Sequence, residues 1–302
     1  MLTKDHLTKI QSSILIEGEP GSGKSYLAKW IHKNSTRAEK NFIQVNISSI
    51  HKSLFESEIF GHKKGSFTGA HIDKEGFCSK VKRGTLFIDE IGELNLEQQK
   101  ILLTLIEERI YYPVGSNEKR EFYGTFIFAT NKNLVSEVTK GTFREDLYHR
   151  LRAFSYKTER FSETRDKRFI ILEEFEKAKV KHNKNELVLS FDIKKFLNNY
   201  DFPGNYRELV QIMDYCTFIA DTQVELNHLP SWTKRNEEPK LATDNYYEAL
   251  EIFESLFLKK MLKKYQGRIN YTAEMVKISK VTLISKIKKY GINIQEFKMI
   301  NI

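Results

Sequence analysis

Cysteine is scarce in this 302-residue chain: Cys78 and Cys216 are the only two, and they fit no metal-ligand spacing. That excludes a disulfide-stapled scaffold and a thiolate metal centre, and it leads us to expect a reducing cytosol with buried or incidental thiols. Also missing is any apolar run of the ~18 residues that a membrane helix needs. Met1 to Ile10 has scattered charges where a secretory signal has an apolar core. No internal repeat or low-complexity tract is evident, which removes solenoids and fibrous arrays. What remains is a chain of two or three domains whose 40% apolar content suffices for buried cores. We expect it to be cytoplasmic and to make no membrane contact.

The strongest motif present is a phosphate-binding loop. Ser12 to Glu17 reads as a short strand, Gly18-Glu19-Pro20-Gly21-Ser22-Gly23-Lys24-Ser25 follows it, and Tyr26 to Ile31 continues as a helix. This is GxxxxGKS between a strand and a helix. Its backbone N–H groups are expected to cradle the phosphates of ATP, Lys24 to reach the β and γ oxygens, and Ser25 to hold Mg²⁺.

The second half of such a site is Thr85 to Glu90, an apolar run ending in Asp89-Glu90. A buried parallel strand reads this way, its C-terminal end opening on the ligand crevice. Asp89 is expected to hold Mg²⁺ and Glu90 to orient and deprotonate the attacking water. Read alone, the pair fits a helix cap or a solvated edge equally well. A third apolar strand, Gly124 to Asn131, ends in Asn131, a candidate γ-phosphate sensor. Asn41 to Ile47 brings Asn46 to the same edge, where its amide either restrains Glu90 or simply ends the strand.

Between the two halves lies Gly65-Ser66-Phe67-Thr68-Gly69-Ala70. Its glycines permit a tight projecting turn with Phe67 and Thr68 outward, or a plain turn whose phenylalanine tucks into the core.

In order and spacing these segments resemble the AAA+ domain of bacterial sigma-54-dependent transcription activators, the enhancer-binding proteins. Gly65 to Ala70, after Glu56 to His62, is similar to the family's sigma-contacting GAFTGA loop, with Ser66 in place of alanine. Arg83 to Glu93 resembles its Walker B stretch, with Cys78 and Arg83 where Glu and Gly are usual. Phe143 to Leu151 resembles its arginine-finger segment, and Phe202-Pro203-Gly204-Asn205-Tyr206-Arg207-Glu208-Leu209 its sensor II segment. The resemblance implies that Arg144 and Arg150 stabilise the transferring phosphoryl group of a neighbouring subunit, and that Arg207 acts within its own. Charge pattern alone would pair these arginines with Glu145 and Asp146 on a helix surface. Only eleven residues precede the first strand where the family has some thirty, including an adenine-contacting stretch, so no base-binding segment is assigned.

The charge is concentrated at one end. Leu250 to Ile302 holds eleven Lys or Arg against four Asp or Glu, seven of the net +9. Glu248 to Tyr265 reads as an amphipathic helix with Leu250, Phe253, Leu256, Phe257, Met261 and Leu262 at helical spacing, and Gly267 closes it. Tyr271 to Val276 and Thr282 to Tyr290 then flank a turn at Lys277 to Lys280. These resemble the Fis-type helix-turn-helix of the same activators, with Lys277 at the usual turn glycine. Lys280, Thr282, Ser285 and Lys286 are expected near base edges or phosphates of double-stranded DNA. A lysine-bearing helix read alone fits a solvated face as well.

The expected architecture is an α/β AAA+ P-loop NTPase subdomain over 1–154, with a parallel sheet. A helical lid over 155–230, a linker over 231–245 and an all-α helix-turn-helix domain over 246–302 follow, with no amino-terminal regulatory domain. The expected function is ATP-dependent activation of transcription by a hexameric ring that binds upstream enhancer DNA and remodels sigma-54 RNA polymerase holoenzyme. The alternative is an AAA+ DNA-binding regulator that acts independently of sigma-54.

Overall fold

A computed structural model describes residues 4–10, 12–233 and 245–297. The chain divides into two units, Met1–Pro230 and Ser231–Ile302. Among the described residues no helix is long and apolar enough to cross a membrane.

The first unit opens with α1 (Lys4–Thr8), β1 (Ile14–Glu17), α2 (Lys24–Lys33), β2 (Phe42–Asn46), α3 (Phe55–Phe60), β3 (Gly61–His62), β4 (Lys74–Glu75) and α4 (Phe77–Val81). It continues with β5 (Thr85–Asp89), α5 (Leu96–Glu108), β6 (Ile110–Tyr111), β7 (Arg120–Glu121), β8 (Thr125–Thr130), α6 (Leu134–Thr139), α7 (Glu145–Leu151) and β9 (Ser155–Lys157). Strands β2, β5, β8, β1 and β9 form, in that order, one parallel sheet.

Both faces of this sheet are covered, which is why its inner strands are unbroken apolar runs. Side chains alternate between the faces. Leu15, Val45, Leu86, Ile88, Phe126 and Phe128 pack with Leu102 and Leu105 of α5 and Leu147 of α7. Ile14, Ile16, Phe87, Ile127 and Ala129 pack with Leu27, Ala28 and Ile31 of α2. The expected border at 154 moves to about Lys157, because Ser155, Tyr156 and Lys157 pair with Leu15, Ile16 and Glu17. An edge strand needs no apolar run, so Ser155-Tyr156-Lys157 carries no sequence signal of its role.

The lid comprises α8 (Lys167–His182), β10 (Val188–Leu189), α9 (Phe191–Asn199), α10 (Asn205–Ile219) and β11 (Gln223–Val224). Phe161, Phe175, Leu197, Phe202, Leu209 and Ile212 share its core. It is helical apart from the short parallel pair β10–β11.

The second unit contains α11 (Tyr246–Lys264), α12 (Ile269–Met275) and α13 (Lys280–Lys289). Of the expected linker 231–245, residues 234–244 lie outside the described residues, and Asn245 caps α11 by accepting from Tyr247 N–H at 3.0 Å. Lys277 takes the left-handed backbone usual for glycine, with φ 56°. Its N–H reaches Glu274 O and that of Ile278 reaches Ala273 O, a Schellman closure of α12. The small core uses Leu258 and Leu262 with Ala273, Leu283, Ile287 and Ile292. Leu250, Phe253, Leu256 and Phe257, four of the six apolar positions read from the sequence, are instead exposed.

Phe128 is fully buried at the middle of the sheet and stacks on Phe126 at 5.4 Å. Phe128→Ala should lower unfolding free energy by about 3–5 kcal/mol, measurable as a fall in urea midpoint. A loss below ~1 kcal/mol would contradict this packing.

Candidate active site

Parallel register sets the site. Glu17 pairs with Thr130 and Lys157, and Asn46 pairs with Asp89, so the C-terminal ends of the strands share one edge. In open α/β sheets that edge is where ligands bind. Gly18 to Ser25 turns from β1 into α2 there, and the Gly18 N–H donates to Thr130 O at 3.2 Å.

Lys24 is buried, and its Nζ donates to Gly18 O at 2.8 Å and Glu19 O at 3.0 Å. Burial pulls this ammonium below its ordinary range; Asp89 and Glu90 act against the shift and Arg207 adds to it. The Ser25 hydroxyl donates to Asp89 Oδ2 at 3.1 Å, and Glu90 N–H donates to Asp89 Oδ1 at 3.0 Å. Pro20, Gly21, Gly23, Lys24, Ser25, Asp89, Glu90 and Arg207 all line one cavity of about 200 Å³.

Glu90 has φ 60° and ψ 44°, a left-handed conformation in a residue with a full side chain. Such a backbone costs about 1–2 kcal/mol and persists where the surroundings impose it, often at functional sites. Its Oε2 accepts from Ser48 Oγ at 3.4 Å. Asn46 does not make this contact through its amide oxygen, which accepts from Ser48 N–H at 2.8 Å and caps a 3₁₀ turn. Ser48 is thus the link between Asn46 and Glu90, and nothing in its sequence setting marks it. Asn131 lies just past β8, exposed, between the strands of the phosphate loop and the acid pair.

The lid closes on the loop at Gly21. Its φ is 76°, and a Cβ there would stand 2.3 Å from Gly204 O, so only glycine fits. A second cavity of about 520 Å³ shares Gly23, Tyr26 and Tyr206 with the first and is bordered by Trp30, Tyr156, Phe161 and Ile170. The sequence reading missed these aromatics, because α2, β9 and the lid supply them from separate segments.

The sigma-54 interaction domain family matches residues 2–157, and the AAA+ ATPase lid domain family matches residues 165–245. The chain belongs to the sigma-54 interaction family of AAA+ ATPases. Transcriptional regulatory protein GlrR of Escherichia coli K12 is 33% identical over 287 residues, covering 95% of this chain and 64% of that protein. Response regulator protein PilR of Pseudomonas aeruginosa is 33% identical, covering 95% and 66%. The structure of NtrX from Brucella abortus in complex with ATP aligns with a TM-score of 0.69 at 25% identity, over 96% of this chain and 66% of that one. This chain therefore spans about two thirds of the length of these relatives.

The Gly65 to Ala70 segment lies beyond β3, which pairs with β4, while His62 bridges to Val114 in the β6–β7 turn. Gly65 N–H donates to Ala70 O at 2.8 Å, and Asp73 holds Lys64 N–H at 2.8 Å. Thr68 and Gly69 are exposed. Phe67 is half-buried, edge-on to His62 at 5.0 Å, so the turn folds its aromatic back and presents Thr68. Ser66 Oγ is buried without a hydrogen-bond partner.

Arg144 and Arg150 do not line the nucleotide cavity of their own chain. Arg144 pairs with Asp146, Nε to Oδ1 at 3.0 Å and Nη2 to Oδ2 at 2.6 Å, as its charge pattern suggested. The pair is partly exposed, and solvent screens it. Buried Gln99, unnoticed in the sequence, fixes the segment by donating to Leu94 O and Thr142 O and accepting from Arg144 N–H at 2.8 Å. Arg150 is exposed.

In the second unit Lys280, Thr282 and Ser285 are exposed on α13, joined by Val281 and Lys288. Lys286 lies on another side of the helix. Its Nζ pairs with Glu254 Oε2 of α11 at 2.5 Å, and Tyr290 donates to the same oxygen at 2.6 Å. One residue beyond Ser285 is about 100° around the helix, which turns Lys286 inward to α11 and leaves Lys288 outward.

Glu90→Gln should retain ATP binding and lose turnover by about 10²–10⁴-fold, read by nucleotide titration and phosphate release. Glu90→Gly should lose turnover equally while raising stability by up to about 1 kcal/mol, since glycine tolerates the backbone. Turnover near normal in either variant would remove Glu90 as the base.

Proposed function

We propose that this ATPase is a transcriptional activator that hydrolyses ATP at subunit boundaries of a hexameric ring and remodels sigma-54 RNA polymerase holoenzyme to open promoters, while its second unit binds upstream DNA. The observation that carries the reading is the convergence of Lys24, Ser25, Asp89, Glu90 and Arg207 on one cavity in a sigma-54 interaction domain.

Support for Mg²⁺ comes from the donor set. Ser25 Oγ and Asp89 Oδ2 are neighbouring hard oxygens, and among the described residues no group of three His, Cys, Asp or Glu could hold a metal unaided. That suits an ion taking most of its ligands from phosphates and water. When bound it would neutralise charge on the transferring phosphoryl group. Lys24 binds the β and γ oxygens, Glu90 takes the proton of the attacking water, and Asn131 senses the γ-phosphate. Arg207 acts from the lid, and Arg144 and Arg150 act from a neighbouring copy once Arg144 leaves Asp146. Apolar and aromatic lining supports the 520 Å³ cavity as the seat of the base.

The Gly65 to Ala70 loop is the contact to sigma-54, with exposed Thr68 at its tip, and Phe67 joins it when the turn lifts from His62. Lys280, Thr282, Ser285 and Lys288 form the DNA face, where counterion release makes binding salt dependent.

Lys24→Ala should abolish nucleotide binding, whereas Thr68→Ala should hydrolyse ATP normally and fail to open a sigma-54 promoter in a reconstituted transcription assay. Capture with ADP and a transition-state mimic of phosphate should retain sigma-54; retention of DNA alone would favour a regulator that works without it. Lys288→Ala should flatten the slope of log affinity against log salt by about 0.9, with little change in stability. Lys286→Ala should destabilise the second unit, and a reversed pair of results would return Lys286 to the DNA face.

A further inference from the structure

The outer side of the phosphate loop is fastened to the lid residue by residue. Glu19 accepts from Arg160 Nε at 2.7 Å and from Asn205 Nδ2 at 3.1 Å. The same Nδ2 donates to Pro20 O at 3.1 Å, Gly21 abuts Gly204, and Ser22 Oγ shares a 2.7 Å hydrogen bond with Thr158 Oγ1.

Asn205 is the centre of this joint. It is 2% exposed, and its Oδ1 accepts from Phe161 N–H at 2.9 Å, so donor and acceptor ends of the amide are both used. Its backbone is left-handed, with φ 54°. Glycine and asparagine both tolerate that backbone, and of the two only asparagine brings an amide, which here has three partners.

We infer that Asn205 is a positioning residue for ATP hydrolysis. Its amide pins the first turn of α10 to the phosphate loop and thereby keeps Arg207, two residues on, at the cavity lined by Lys24, Ser25, Asp89 and Glu90. Arg160 is an exposed outer tie on the same Glu19 carboxylate. The inference rests on the nucleotide-site reading given above.

The test is a cycle in the full chain. Asn205→Gly keeps the left-handed backbone and removes the amide. Asn205→Asp keeps the acceptor for Phe161 N–H but sets a carboxylate against Glu19. Each should lower ATP turnover by about ten- to a hundredfold, with thermal unfolding followed in parallel and turnover expressed per folded molecule. Arg207→Ala should show a similar loss, and Asn205→Gly combined with Arg207→Ala should be no slower than Arg207→Ala alone. A merely structural role would multiply the two losses and overturn the assignment. So would turnover within twofold of the unaltered chain in both Asn205 variants. Should the unaltered chain neither bind nor hydrolyse ATP, the nucleotide site itself would fall, and this assignment with it.

Discussion

A buried ammonium has to be surrounded by acceptors, because leaving such a charge unpaired costs several kcal/mol. Lys24 meets that demand with two carbonyls of its own loop, and the Asp89 and Glu90 carboxylates lie close enough to act on it. The carbonyls follow β1 and the carboxylates end β5, with β8 between those strands. Bringing those carboxylates to the charge therefore requires β1, β8 and β5 in register. Phosphate oxygens make stronger, charge-assisted bonds than neutral carbonyls, which supports the role proposed for Lys24 at the β and γ oxygens.

Among the non-glycine residues with a left-handed backbone, Glu90, Asn205 and Lys277 differ in what the conformation does. Glu90 is turned left-handed directly after Asp89, which separates two adjacent carboxylates: one faces Ser25, the other Ser48. Asn205 adopts the same backbone so that its amide reaches the phosphate loop. Lys277 adopts it to close α12 and start the turn to α13. None of these is glycine, although two stand where hydrolysis and lid contact are proposed. At Glu90 and Asn205 the side chain carries the role, and at Lys277 hydrogen-bonded closure of α12 holds the turn.

The exposed turn at Gly65 to Ala70 and the paired Arg144 share a different property. Their backbones are hydrogen-bonded, but the side chains of Phe67 and Arg144 rest on an edge-on aromatic pair with His62 and a half-exposed ion pair with Asp146. The cavity residues, by contrast, sit on a sheet with fully buried Phe87, Phe126 and Phe128.

Much of this was legible in the residues alone. The phosphate loop, the acid pair and the apolar strands are local signals, set by spacing along one stretch of chain, whereas the lid and the turn motif were expected from the resemblance to the activator family. Other features depend on which neighbour covers a given face. Periodicity marked α11 as amphipathic but could not say that Leu258 and Leu262 are buried while Phe253 is exposed. It marked α13 as basic but not that Glu254 draws Lys286 away from Lys288. Ser48, Gln99 and the aromatics beside α2 acquire their roles only from partners distant in sequence. The sequence by itself determined what chemistry is available and on which elements it is carried. Tertiary structure decided which groups meet, because burial, register and ion pairing are properties of two surfaces and no single segment contains both.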